Sequence, residues 1–206
     1  MTRLKDKLIY ETAPSLAIKI KFIVMNMIQY VAVGILVLTV NYTAMAQKNL
    51  VTNGGFEDEL SGWVDYSAKA TPYIFSTGKM SGALFSGDPS KWMGMHQIVA
   101  LPKNTQYILM SAKIKADGVS TGKEDWNGAL FLFEMLGKGE AKIGEGINIA
   151  SVKGDQDWKL YERAYIVPAG TTSIKLLFAL GYVSGTMFVD DVSLKVISQA
   201  EYEKYL

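Results

Sequence analysis

Between residues 107 and 116 the chain alternates strictly, with Ile108, Met110, Ala112 and Ile114 on one side and Ser111, Lys113 and Lys115 on the other. Side chains of a strand point by turns to its two faces, so this period predicts a strand with one buried and one wet face. Residues 158–167 place Trp158, Leu160, Ala164 and Ile166 on one face, and 173–180 follow as another strand. Residues 129–133 are apolar on both faces, which predicts a central strand. Shorter strands are predicted at 64–66, 73–75, 83–85 and 92–101, the last stopped by Pro102. Residues 137–146, rich in Gly, Lys and Glu, predict an exposed loop, and 198–206 a single loose helical turn. No long amphipathic helix follows residue 47 and no Pro/Ser-rich linker divides the rest. Short strands at regular intervals predict one all-β domain, a β-sandwich of two antiparallel sheets.

The first 46 residues follow another pattern. Residues 22–46 carry no charge, Val31 to Val40 form an apolar centre, Lys19 and Lys21 precede it, and Ala44-Met45-Ala46 places small residues where a signal peptidase reads. This predicts an N-terminal signal segment and a protein that is secreted, periplasmic or displayed at the cell surface. The competing expectation is a membrane anchor through residues 22–40, since an uncharged run of this length can cross a hydrocarbon core of ~30 Å. Asn26, Gln29 and Asn41 weigh against it. The expected organisation is therefore 1–46 as leader, 47–198 as the sandwich and 199–206 as a tail.

Charge and composition narrow the function. The formal net charge is +1, made of +3 on residues 1–46 (five basic, two acidic) and hence −2 on the remainder. Phosphate binding needs a clustered basic face, so no nucleic-acid partner is expected. With no cysteine and one histidine, His96, there is no thiolate metal site, no disulfide and no set for a nucleophilic triad. Glycoside hydrolysis needs only two carboxylates, and Glu134, Glu145, Asp155 and Glu162 are present. Glu162, however, alternates within a strand beside Arg163, and Glu145 sits in a charged run. A small glycoside hydrolase is the least favoured expectation, and no catalytic residue is assigned.

Two further stretches carry signals. Asn49-Leu-Val-Thr-Asn-Gly-Gly-Phe-Glu57 begins as a strand and breaks at Asn53-Gly54-Gly55, residues that tolerate positive φ. Phe56 leaves the turn as an apolar anchor, and Glu57 sets a carboxylate beside turn carbonyls, the donor set of a hard cation. At the other end, Phe188, Val192, Leu194 and Val196 fall in one phase with Asp190, which points that carboxylate inward, where it needs a partner.

A first strand reading N-L-V-x-N-G-G-F-E, then Gly62-Trp63, and a last strand reading V-D-D-V-S-L resemble the carbohydrate-binding modules of the family 4/9/22 type. Gln106-Tyr107 and Val167-Pro168-Ala169-Gly170-Thr171 extend the resemblance over nearly all of the chain after residue 47. The resemblance implies a galactose-binding-domain-like jelly roll and a structural calcium held by the Gly55 carbonyl and the Glu57 and Asp190 carboxylates. It implies a polysaccharide or oligosaccharide partner.

Sugars pack their C–H faces on exposed aromatic rings. Trp63, after Gly62, and Trp158, in phase with Leu160, are expected to be structural, whereas Trp92 and Trp126 stand among polar residues and are the leading sugar platforms. Tyr182, after Gly181, and Tyr73, beside Pro72, are second candidates, and His96 is a polar contributor at most. The alternative is a cell-surface structural or adhesion sandwich. The two differ in whether Trp92 and Trp126 share one face.

Overall fold

A computed structural model describes residues 48–206; the leader, with its proposed cleavage or anchoring, lies outside the described residues. Among the described residues ten strands form two antiparallel five-stranded sheets. The first sheet runs β1(Val64–Asp65), β4(Trp92–Ala100), β9(Ser173–Gly181), β6(Gly128–Leu136), β7(Lys142–Val152). The second runs β2(Lys69–Thr71), β3(Ser81–Ser86), β10(Gly185–Val196), β5(Tyr107–Val119), β8(Gly154–Ile166). A short helix, α1(Gln199–Tyr202), follows, closed by a capping box between Ser198 and Glu201.

The core lies between the sheets. Ile108, Met110, Ala112 and Ile114 of β5 all face inward and are fully buried, as their alternation predicts, and Phe131, Phe133, Leu176 and Phe178 meet them from the first sheet. Phe131 and Phe178 stack at 4.6 Å. Trp63 packs between Phe56, at 5.2 Å, and Phe178, at 5.9 Å, and its indole N–H donates to the Asn53 carbonyl, so it is structural as expected.

Four expectations change. Residues 73–75 form no strand, and the pairing falls instead on Lys69–Thr71. The expected loop at 137–146 ends by Lys142, where β7 begins, because its glycines are absorbed into a strand that shifts register against β6. On β8 the core side carries Tyr161, Arg163 and Tyr165, opposite Ala112, Met110 and Ile108; Trp158 and Leu160 therefore face outward, Trp158 half-buried and Leu160 half-exposed. A strand at a sheet edge can show apolar residues on the outer side, and period alone does not say which face is in. Finally, Asp191, at φ +52°, forms a bulge that shifts the pairing of β10 with β5. Met187 and Val189 face the core before it and Val192 and Leu194 after it, so a constant two-residue count places Phe188 and Asp190 on the wrong side: they pair with the outward Lys115 and Lys113, and Asp190 is buried under the loop of Ser76 and Thr77, not in the core.

The turn at the start of the domain is tied to this bulge. A Cβ on Gly54 would stand 2.1 Å from the Val192 carbonyl oxygen, so only glycine allows the approach in which Val192 N–H donates to the Gly54 carbonyl at 2.9 Å. Asn49 replaces a strand ladder with its side chain, donating to the Val192 carbonyl and accepting from Leu194 N–H, both at 3.0 Å.

Candidate functional site

Three aromatic side chains distant in sequence meet at one end of the sandwich. Trp92 and Tyr182 have ring centroids 5.9 Å apart, Trp126 and Tyr182 6.0 Å, and Trp92 and Trp126 6.5 Å. All three remain open, at 37%, 46% and 45% exposure for Trp92, Trp126 and Tyr182. A cluster left this open has not been buried for stability alone.

Each ring is held by its element. Trp92 opens β4, and its indole runs over backbone that carries no side chain: a Cβ on Gly94 would lie 3.2 Å from its Nε1, and one on Gly181 3.2 Å from its Cζ3. Trp126 sits in the loop between β5 and β6. Buried Asn127 accepts from Glu124 N–H at 2.8 Å, and the Trp126 carbonyl accepts from Ser151 at 3.1 Å, which fixes the loop from both sides. Ser120 and Ser184 exchange two hydrogen bonds, of 2.9 and 3.0 Å, joining this loop to the one after β9. Tyr182 adopts φ +56°, a left-handed conformation that costs a bulky residue on the order of 1–3 kcal/mol and is concentrated at ligand sites. It directs the phenol toward the two indoles.

Two clefts adjoin the cluster and share Trp126. The first, of about 650 Å³, lies among the loops and is lined by Ser90, Lys123, Glu124, Asn127 and Tyr182 besides Trp126. The second, of about 560 Å³, opens on the outer face of the first sheet between Trp92, Leu132, Glu145 and Asn148. Each joins apolar rings to a few amides and charges, the composition of a small-molecule site. Among its lining residues each holds a single carboxylate, Glu124 in the first and Glu145 in the second.

Of the other carboxylates considered for hydrolysis, Glu134 is paired with Lys142 at 3.1 Å, Asp155 accepts from Gly118 N–H at 2.6 Å, and Glu162 lies on the other sheet. Neither of the two clefts beside the aromatic cluster presents two opposed carboxylates. Tyr73 does not join the cluster: it is 88% exposed in the loop after β2, in the second sheet. His96 lies on the outer face of the first sheet, 9% exposed, with Nδ1 making no hydrogen bond. Burial holds its imidazole below the ordinary histidine value, and Lys175 adds to this while Glu134 opposes it.

Gly55, Glu57 and Asp190 do come together. A Cβ on Gly55 would lie 3.9 Å from both Asp190 Oδ1 and Glu57 Cγ. Asp190 is fully buried and accepts from Ser76 N–H at 2.8 Å, Thr77 N–H at 3.0 Å and Asp191 N–H at 2.7 Å. Burial pushes its carboxyl above the usual value, against the pull of those donors. Glu57 accepts through Oε1 from Lys79 N–H at 2.7 Å and Met80 N–H at 3.2 Å. Two carboxylates offer about eight lone-pair positions, and five N–H donors already use five of them. Two carboxylates and a carbonyl are donors a hard cation takes, but amides already meet much of the negative charge, and among the described residues no third acidic or histidine side chain joins them.

No protein-family model matches the chain, and no curated protein does. Solved structures match its fold. The enzymatically active domain of tailspike protein 4 from bacteriophage CBA120 aligns with TM-score 0.58 and 16% identity over 72% of this chain and 21% of that one, so this chain spans about a fifth of the tailspike chain. The CBM22-1 xylan-binding domain from Paenibacillus barcinonensis aligns with TM-score 0.53 and 15% identity over 74% of this chain and 97% of that one. TmCBM61, in complex with β-1,4-galactotriose, aligns with TM-score 0.50 and 17% identity over 73% and 99% of the two chains. The domain has the jelly-roll fold of carbohydrate-binding modules.

Proposed function

We propose that this domain is an exported, non-catalytic carbohydrate-binding module that takes an oligosaccharide or polysaccharide on the Trp92, Trp126 and Tyr182 rings. The convergence of those three rings beside two clefts carries the proposal. An adhesion sandwich needs no such convergence. Carbohydrate ligands of structural neighbours, galactotriose among them, support the class of ligand, and one carboxylate per cleft supports the absence of hydrolysis. A panel of soluble and insoluble polysaccharides, tested for retardation of residues 47–206 in affinity gels and for release of reducing ends, checks both halves. Binding without release is expected; failure to bind any glycan, or release of sugar, contradicts the proposal.

Calcium at Gly55, Glu57 and Asp190 is the second part of the proposal. It would be structural there, bracing the first turn against the bulge of β10. Removal of residues 1–46 on export is the third, motivated by the apolar run and Ala44-Met45-Ala46. The intact mass of the exported protein checks it, and a mass that retains residues 31–40 would mean an anchor.

A further inference from the structure

Asn127 ends the loop between β5 and β6 and borders the cleft that lies among the loops, yet it is only 3% exposed. The loop wraps closely around its side chain. A Cβ on Gly122 would stand 2.3 Å from Asn127 Cβ and 2.4 Å from Oδ1, so only glycine lets the chain pass there. Asn127 N–H donates to the Glu124 carbonyl at 3.0 Å, and Oδ1 accepts from Glu124 N–H at 2.8 Å. The second bond assigns the amide, because a backbone N–H needs an oxygen opposite it. Nδ2 is therefore turned away from Glu124.

Among the described residues Nδ2 has no hydrogen-bond partner, but it is not sealed from solvent as His96 Nδ1 is. An unpaired amide on a buried side chain, still reachable, faces the open space its residue borders, the cleft of about 650 Å³. The charged groups of that cleft are of another kind. Lys123 and Glu124 are exposed, adjacent in the chain and opposite in charge, and neither is held by an ion pair among the described residues. Asn127 thus supplies a polar group whose position the fold fixes, and toward the cleft it is a donor only. A ligand that fills the cleft strips water from Nδ2. It must then offer an acceptor oxygen or leave a buried donor unpaired, which lowers affinity by about tenfold or more.

We infer that Asn127 is the specificity-determining residue of the loop cleft: its Nδ2 donates to one acceptor oxygen of a sugar whose ring packs on Trp126. The acceptor is a hydroxyl or an acetamido carbonyl, which present the same oxygen chemistry to a donor. A sugar with hydrogen or a protonated amine at that position is rejected. The inference rests on the carbohydrate-binding reading above and deepens it. The rings supply affinity that any pyranose face can gain, and the amide supplies the choice among sugars.

The test is calorimetric titration of wild type, Asn127→Ser and Trp126→Ala with the β-1,4-linked disaccharides of xylose, glucose, galactose, mannose and N-acetylglucosamine, and then with each monodeoxy form of the tightest binder. Asn127→Ser keeps an oxygen for Glu124 N–H, as serine does in turns of this kind, and is too short to reach the cleft. Wild type is expected to lose about tenfold at one deoxy position. Asn127→Ser loses about tenfold on the parent sugar and nothing further at that position, whereas Trp126→Ala weakens parent and deoxy forms alike. A sensitive position that carries the acetamido group identifies its carbonyl as the acceptor; any other identifies a hydroxyl. Asn127→Asp, of the same size and with Oδ1 kept, is the second variant should serine loosen the loop. A deoxyfluoro sugar accepts but cannot donate, so at the sensitive position it binds wild type better than the deoxy form and binds Asn127→Asp no better. Wild-type indifference to every deoxygenation overturns the inference, as do additive losses in Asn127→Ser or a fluorine advantage that persists in Asn127→Asp; the rings then remain the site. Failure of the wild type to bind any of the disaccharides overturns the underlying reading and the inference with it.

Discussion

Replacing Asp190 by alanine removes the one acceptor shared by three backbone N–H groups, those of Ser76, Thr77 and Asp191, at a fully buried position. A buried donor left without a partner costs about 1–3 kcal/mol. The carboxylate also carries a burial penalty, visible in its raised pKa, and alanine relieves that, so the low end of the range applies to each donor. The expected loss is about 3 kcal/mol, a fall in melting temperature of roughly 6–12 °C for a domain of this size. Asp191→Asn is the control: it keeps a residue tolerant of φ +52° and loses the half-exposed pair with Lys113 at 3.0 Å, worth about 0–1 kcal/mol. Thermal melts followed by circular dichroism, with and without chelator, read both effects. Bound calcium adds roughly 2.7 kcal/mol at a hundredfold excess over its dissociation constant, so chelation lowers the wild-type melt and leaves Asp190→Ala unmoved. A variant that melts within 2 °C (about 1 kcal/mol or less) of wild type, or Asp191→Asn as damaged as Asp190→Ala, refutes the account of this site. A wild-type melt indifferent to verified calcium removal leaves the N–H cradle standing and removes the metal.

Two predictions separate buried from open rings and test the histidine. Trp63→Ala is expected to cost about 3–5 kcal/mol, as truncation of a core aromatic does, because Trp63 packs on Phe56 and Phe178; Trp158→Ala, on the outer side of β8, is expected to cost well under half of that, and equal losses in urea titrations would mean that β8 has been placed with the wrong face inward. His96 has a folded pKa below its ordinary 6.5, so its contribution is present above pH 6.5 and is lost as pH falls through the folded value. As the chain has one histidine, His96→Gln should flatten the fall in stability between about pH 7 and pH 5; an unchanged slope would contradict the burial.

The strands of the core were legible because their side chains obey the two-residue period over long runs, as at Ile108 to Ile114. The N-G-G-F-E turn was legible from its glycines, though positive φ falls on Asn53 and Phe56, at +50° and +57°, and Gly54 is required because it lies against Val192 with no room for a Cβ. Reading failed where the backbone breaks period. The bulge at Asp191 moves Phe188 to the outer face, and no local composition announces it. Trp158 misled for another reason: on edge strand β8 both faces carry large side chains, and only pairing with β5 tells them apart. At the candidate site, Trp92, Trp126 and Tyr182 stood out by their polar or glycine neighbours, but their convergence is a product of topology, which brings β4, β9 and the β5–β6 loop to one end. The glycines at 94 and 181, flanking the Trp92 ring, were the available clue.

Titration of the wild-type domain and Trp126→Ala with its tightest-binding glycan tests the central claim most directly. Trp126 touches both clefts and is 46% exposed, so its loss should cost about 1–3 kcal/mol of affinity with the melting temperature nearly unchanged. A variant that binds as well as wild type while folded would contradict the claim that these rings hold the sugar.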